Sequence, residues 1–172
     1  MNPVGDFLQV RAEAPGDAAA VEAVLARAFG PGRRAKTSER VRELAAGRAH
    51  AASRVALAGD GAVAGCCRIW SMRAGEERIW FLGPLAVEPA LQGGGVGVRL
   101  VRAALEQALG HEPRTVLLMG RSHIFETCGF VPLERGPLAP GLVWPGPVEL
   151  GRVQWRPAQA GAAPPQGCLQ AG

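Results

Sequence analysis

The residues of this chain best placed to do chemistry are glycines. The run Leu82-Gly83-Pro84-Leu85-Ala86-Val87-Glu88-Pro89-Ala90-Leu91-Gln92-Gly93-Gly94-Gly95-Val96-Gly97-Val98-Arg99-Leu100 reads as a strand, a short turn, a glycine-rich loop and the start of an amphipathic helix. Residues without side chains let backbone N–H groups converge on an anion, and the unpaired donors and dipole of a following helix favour negative charge there. The chemistry this spacing asks for is phosphate binding. Two familiar phosphate loops do not fit. In the dinucleotide pattern G-x-G-x-x-G the third glycine falls on Val98 when counted from Gly93 and on Leu100 when counted from Gly95. No Gly-Lys-Ser/Thr follows, so the nucleoside-triphosphate loop fails as well.

What the loop does match is Q/R-x-x-G-x-G/A, supplied by Gln92, Gly95 and Gly97 directly after Leu85-Ala86-Val87-Glu88-Pro89. With these residues the sequence resembles the GNAT superfamily of acyl-CoA-dependent N-acetyltransferases. Within it, the chain looks closest to the bacterial branch that reads roughly LGPLAV-x-P-x-x-Q-x-x-G-x-G and later ends a short helix in Gly-Phe. Glu126-Thr127-Cys128-Gly129-Phe130 is the counterpart of that second motif. Gly30-Pro31-Gly32 and Lys36-Thr37 add to the likeness, which runs from about Val10 to Val131. The resemblance implies acetyl-CoA as cosubstrate and no metal. Backbone amides across Gln92, Gly93, Gly94, Gly95, Val96, Gly97 and Val98 would hold the pyrophosphate. Main-chain groups of Leu85, Ala86 and Val87 would pair with the pantetheine arm as if it were an added strand. The implied reaction is acetyl transfer to a primary amine of a small molecule or peptide by direct attack.

The same resemblance exposes a gap. Many family members protonate the departing thiolate with a tyrosine four residues before the glycine of Gly-Phe; here that position is Phe125, its neighbour is Ile124, and the chain contains no tyrosine. Cys128 or a relaying water could give the proton; the other candidates for proton transfer are His123, at the start of the same short helix, and Glu77, which with Glu76 precedes the strand that often carries the family's base. Both also suit solvated surface positions. A second expectation therefore stands beside the enzyme: a weakly active or inactive module that senses acetyl-CoA. Arg99 and Arg102 read as solvated arginines on the helix face rather than as phosphate ligands.

Composition narrows the field. With 172 residues, 48% hydrophobic and 20% charged, the chain is long enough for one cored domain and unlike a disordered or collagenous one. Nineteen basic against 15 acidic groups leave a net charge of +4. The one tight basic cluster, Arg33, Arg34 and Lys36, has no interleaved aromatic residues to stack bases, so no nucleic-acid partner is expected. Cys66, Cys67, Cys128 and Cys168 form no Cys-x-x-Cys pair and have no histidines at ligand spacing. Neither zinc nor a disulfide framework is expected, and the first three read as small buried hydrophobes. No stretch approaches the roughly 18 apolar residues of a membrane span, and Met1-Asn2-Pro3-Val4-Gly5-Asp6 lacks the regions of a signal peptide. The expectation is a cytoplasmic monomer or homodimer without a membrane partner.

These residues must be positioned by ordinary elements. A strand is expected over 7–12, then a helix capped by Asp17 with Val21, Val24, Leu25 and Ala28 on one face. A second helix starts at Thr37, buries Val41, Leu44 and Ala45, and stops near Gly47. Strands over 54–58 and 63–72 flank the hairpin signal Gly59-Asp60-Gly61. A third strand, 78–87, must bulge or lose its neighbour at Gly83-Pro84, because proline has no N–H to give a ladder. A helix follows to Leu109, then the apolar strand 115–119, a short helix capped by Ser122, and an extended segment from Phe130. Late strands are expected at 142–144 and 152–155. The fold class is α/β (α+β), a GNAT fold with a mixed central sheet, splayed middle strands and about four helices. One domain is expected over 1–156, followed by a flexible Pro/Gly/Ala-rich tail over 157–172.

Overall fold

The computed structural model describes residues 8–35, 37–45, 52–133 and 141–172. The expected positions Phe7, Lys36 and Gly47, and the side chain of Arg34, lie outside what is described.

The described elements in chain order are β1 (Gln9–Ala12), α1 (Ala18–Phe29), α2 (Thr37–Leu44), β2 (Arg54–Leu57), β3 (Val63–Ala74), β4 (Glu77–Val87), α3 (Val96–Leu109), β5 (Val116–Met119), α4 (His123–Glu126), β6 (Val131–Pro132), β7 (Leu142–Val143), β8 (Val153–Arg156) and β9 (Gly167–Ala171). The sheet runs β1-β2-β3-β4-β5-β8-β6, with β9 joined to β3 and β7. It is mixed: β4 and β5 are parallel, and the pairs β1–β2, β2–β3, β3–β4, β5–β8 and β6–β8 are antiparallel. Two parallel strands need a crossover, and α3 supplies it between β4 and β5.

Period-two alternation divides the core between the two faces of the sheet. Cys67, Ile69, Trp80, Leu82, Val116 and Leu118 pack in one cluster with Leu100, Val101, Ala104, Leu105 and Ala108 of α3. Their sequence neighbours turn the other way: Cys66 and Ala86 meet Val21, Val24 and Leu25 of α1. Phe81, Leu117 and Met72 meet Val41 and Ala45 beside α2. Strand β5 is wholly apolar because both of its faces are covered. Adjacent Cys66 and Cys67 therefore occupy different clusters, and burial raises both thiols, Cys66 to about 12 and Cys67 well above its ordinary value. They behave as small hydrophobes rather than nucleophiles. Cys128 is only half-buried, against the core position expected for it.

Three local expectations are corrected. Leu44 is 39% exposed, since α2 turns Thr37 and Val41 inward and Ala45, just after it, follows them. Asp17 stands at the N-cap of α1 as expected, but its side chain makes no cap hydrogen bond; its carboxylate accepts from Arg11 at 2.7 and 2.8 Å and from the Ala14 N–H at 2.7 Å, closing the turn before the helix. The third correction concerns residues 157–172, expected as a flexible tail. They include β9, whose Leu169, Gln170 and Ala171 lie antiparallel to Ala74, Arg73 and Met72. Pairing with β2 ends at Cys67 of β3, so the far half of that long strand needs another neighbour for its ladder. Leu169 is 6% exposed, against Met72, Ile79 and Phe81. That demand comes from β3, about a hundred residues away in sequence, and the composition of the tail does not display it.

Candidate functional site

The site grows out of a defect in β4. Cys67 pairs with Leu85 and Ile69 with Leu82, so Gly83 and Pro84 face the single residue Arg68 across the ladder. This is the bulge that Pro84 demands. The Trp70 indole N–H donates to the Gly83 carbonyl and holds the bulged backbone from β3. On the opposite edge, the pairing of β4 with β5 stops at Leu82–Leu118. Both expected consequences of Gly83-Pro84 are present, and among the described residues no strand lies on one edge of Leu85, Ala86 and Val87. Their other edge remains bonded to β3 through Cys67, Cys66 and Gly65.

The chain leaves that open edge directly into the glycine loop. The Gln92 side-chain amide donates to the Val87 carbonyl at 3.0 Å and ties the loop to the strand it leaves. Gly95 caps α3 at φ 80, a left-handed conformation that glycine adopts without the cost of a Cβ. The Arg99 N–H donates to the Gly95 carbonyl at 3.1 Å, the first bond of the helix, so the N–H groups of Val96, Gly97 and Val98 have no helical acceptor. A Cβ on Gly93 or Gly95 would meet nothing within 4 Å, so the loop faces open space. Gly97 has a different role: a Cβ there would lie 2.9 Å from Ile124 Cδ1, where α3 packs against α4.

Open edge and loop belong to one cleft of about 590 Å³. It is lined by Leu85, Ala86, Val87, Gln92, Gly93, Gly95, Val96, Gly97, Val98 and Phe125, together with Phe29, Ser38, Phe81 and Met119 at its other end. Of the residues expected at a CoA site, Gly94 alone does not line it among the described residues.

A family model described as the acetyltransferase (GNAT) family matches residues 19–130, which include the open strand, the loop and the Gly-Phe helix. The chain belongs to the GNAT family.

Solved GNAT structures share the architecture. The protein YhbS from Escherichia coli in complex with CoA is similar over 96% of this chain and 90% of its own, at 23% identity and a TM-score of 0.71, a likeness of fold. A GNAT family acetyltransferase from Brucella melitensis in complex with acetyl-CoA is similar over 96% of both chains, at 29% identity and a TM-score of 0.69. No curated protein matches the sequence.

The proton-transfer candidates sit apart from this GNAT cleft. Glu77 opens β4, eight residues before Leu85 and about 26 Å away along an extended strand. It is exposed and accepts from the Thr115 hydroxyl at 3.1 Å. The His123 side chain is 84% exposed, its Nδ1 lying 3.4 Å from a Glu126 carboxylate oxygen. Neither lines the cleft among the described residues. Phe125 does, at 8% exposure, with its ring edge-on to Phe130 at 6.0 Å. Arg99 is also accounted for: it donates to the Leu8 carbonyl at 2.6 Å and ties α3 to the residue before β1.

Four other residues in the cleft carry no local sign of a place there, and Arg33 stands out in the sequence only as part of the basic cluster 33–36. Arg33, Arg42, Arg121 and Arg152 line it, and among the described lining residues no carboxylate accompanies them. Arg33 pairs with Glu22, and Arg42 with Glu39 one helical turn away. Arg121 donates to Glu149 and to the Gly151 carbonyl. Burial lowers the Arg42 guanidinium below its ordinary value; Glu39 opposes that effect, while repulsion from Arg33 and Arg68 adds to it. Only packing brings these four segments together.

Proposed function

We propose that this GNAT protein binds acetyl-CoA in the cleft and transfers its acetyl group to the primary amine of a small molecule or peptide. The observation that carries the reading is the unbroken passage from an unpaired strand edge at Leu85–Val87 to a glycine loop with free amides at Val96–Val98, all within one cleft. The residues fit the ligand. The loop has space at Gly93 and Gly95 and is followed by amides without helical acceptors at Val96–Val98, and each hydrogen bond from such a donor to a charged group contributes about 1.5–3 kcal/mol. The edge of β4 offers the alternating N–H and C=O groups that an amide-bearing chain would pair with.

When bound, acetyl-CoA would supply the acyl group as a thioester. The acceptor nitrogen must arrive neutral; its lone pair forms the C–N bond, the C–S bond breaks, and the amine's proton ends on sulfur as the free thiol. The bulge at Gly83-Pro84, held by Trp70, leaves main-chain groups beside Leu85 to polarise the carbonyl. The cationic wall helps deprotonation, because nearby like charge disfavours the ammonium form. A dedicated carboxylate base is therefore not required.

The test is direct. At a CoA concentration a hundredfold above Kd, binding adds about 2.7 kcal/mol, or roughly 5–10 °C in Tm for a chain of this length. Thiol release from acetyl-CoA with a panel of amines then reads transfer. No shift with CoA or acetyl-CoA would overturn the binding site. A second reading, an acetyl-CoA sensor with little transfer, is favoured by phenylalanine at position 125 and by the exposure of Glu77 and His123 outside the cleft. A full thermal shift with no thiol release would support it.

A further inference from the structure

In the acetyl-CoA reading the glycine loop would hold the CoA phosphates, and the arginine-lined end of the cleft lies away from it: from Gly83 to Val87 the strand runs four residues, about 13 Å, before the loop begins. Arg42 stands at the opposite end, its Nη1 3.8 Å from where a Cβ on Gly83 would lie. Arg33 lies in the turn Pro31–Ala35 on the same wall. Arg121 and Arg152 come from the other wall, after β5 and at the end of the turn Leu150–Arg152, where Arg121 Nη2 is 3.1 Å from a Cβ position on Gly151. Phe81 and Met119 form the apolar floor between the walls.

The charge at this end is unbalanced. Arg42 and Arg33 have side chains only 11% exposed and repel one another. Their carboxylate partners Glu22 and Glu39 stand behind them and do not line the cleft. The Arg152 side chain has no hydrogen-bond or ion-pair partner among the described residues, which leaves its planar set of N–H donors open to the cleft. Holding buried cations side by side is costly unless an anion completes the arrangement. A guanidinium matches a carboxylate or phosphoryl group with two parallel hydrogen bonds. An ammonium or a polyamine, in contrast, would meet four guanidinium groups and no carboxylate among the described lining residues.

We propose that the acceptor amine carries its own anion, a carboxylate or a phosphoryl group, and that Arg42 and Arg152, with Arg33 and Arg121, bind that anion at the end of the cleft away from the glycine loop. This rests on the acetyl-CoA reading of the same cleft. It also gives the missing carboxylate base a purpose: the anion is held by guanidinium groups, and the amine beside them is kept neutral by the same positive field.

The experiment compares thiol release from acetyl-CoA with the standard amino acids, their carboxamides, aminoalkylphosphonates and linear diamines, after CoA binding has been checked by thermal shift. The expected result is a kcat/KM for at least one anionic amine at least tenfold above its uncharged counterpart. Arg152→Gln and Arg42→Gln should each bring that ratio towards one. Arg42 is buried, so its variant is scored only if it keeps the CoA-induced shift; Arg152 is half-exposed and unpaired, so Arg152→Gln carries the test if Arg42→Gln does not fold. Whether amino acids or phosphonates show the ratio identifies the anion, and either supports the proposal. Amides or diamines used as well as the anionic amines would overturn it. So would a ratio unchanged in the variants, or no thiol release from any anionic amine by a protein that binds CoA. Failure of CoA itself to shift Tm is a separate outcome, and it removes the acetyl-CoA reading first.

Discussion

Gly95 and Gly97 stand two residues apart, yet replacing each by alanine should have unequal consequences. Gly95 has φ 80, and its Cβ would meet nothing within 4 Å. The cost of Gly95→Ala is therefore backbone strain alone: about 1–2 kcal/mol for a left-handed alanine, less about 0.4–1 kcal/mol returned by stiffening the unfolded chain. A net loss of about 1 kcal/mol corresponds to about 2–4 °C in Tm at this length. Relaxing that strain turns the cap of α3 and moves the amides of Val96–Val98 off the phosphate. Losing one charge-assisted hydrogen bond, about 1.5–3 kcal/mol, weakens CoA binding roughly 10- to 150-fold.

Gly97 lies inside α3 with ordinary helical geometry, so alanine gains about 1 kcal/mol of helix propensity. Its Cβ would stand 2.9 Å from Ile124 Cδ1, the end of a flexible side chain, and turning that side chain away costs about 0.5–1.5 kcal/mol. The two terms nearly cancel. Gly97→Ala should be within about 0.5 kcal/mol of the parent, and its CoA affinity should fall by less than about tenfold. Urea denaturation measures the first quantity and titration calorimetry with CoA the second. Equal CoA affinity in both variants, or a larger loss in Gly97→Ala, would refute the assignment of the left-handed glycine to the phosphate cradle.

Three further outcomes follow from other parts of the molecule. Phe125→Tyr puts a phenol on the cleft wall beside Gly120; kcat for thiol release should stay level or rise by up to about tenfold, and a tenfold fall with an intact CoA shift would count against proton donation from this position. Asp17, held down to about 2 by its hydrogen bond with Arg11, contributes stability above the ordinary carboxylate pKa near 4 and loses it as pH falls towards 2. Because Arg11 is 37% exposed, Asp17→Asn should cost only about 1 kcal/mol at pH 7, with the difference closing by pH 2 in denaturation curves; a difference independent of pH would remove the ion pair as its cause. Leu169→Ala should lower stability by about 2 kcal/mol and speed proteolysis within β9, whereas an unchanged protein would mean that β9 does not dock on β3 in solution.

What the sequence determined by itself is local. A run of free amides at a helix start, a proline that interrupts a ladder and a serine at the start of α4 each depend on a few contiguous residues, and each was legible from them. The alternation in β3 and β4 and the helical spacing in α1 and α3 likewise announced which side chains form the core, because a strand or helix imposes its period on its own residues. Tertiary structure decided the rest. Arg33, Arg42, Arg121 and Arg152 come from four separate segments, and nothing in the neighbourhood of any one of them marks it as part of a cleft. Leu169 is buried because the far half of β3 lacks a neighbour, a requirement that its own alanine- and glycine-rich surroundings do not express. Glu77 and His123 had suitable chemistry and suitable order along the chain, yet strand length carries one far from the bulge and the exposed face of α4 carries the other into solvent. Backbone geometry is a property of adjacent residues and can be read along a chain, whereas a charge set gathered around a cavity is a property of packing.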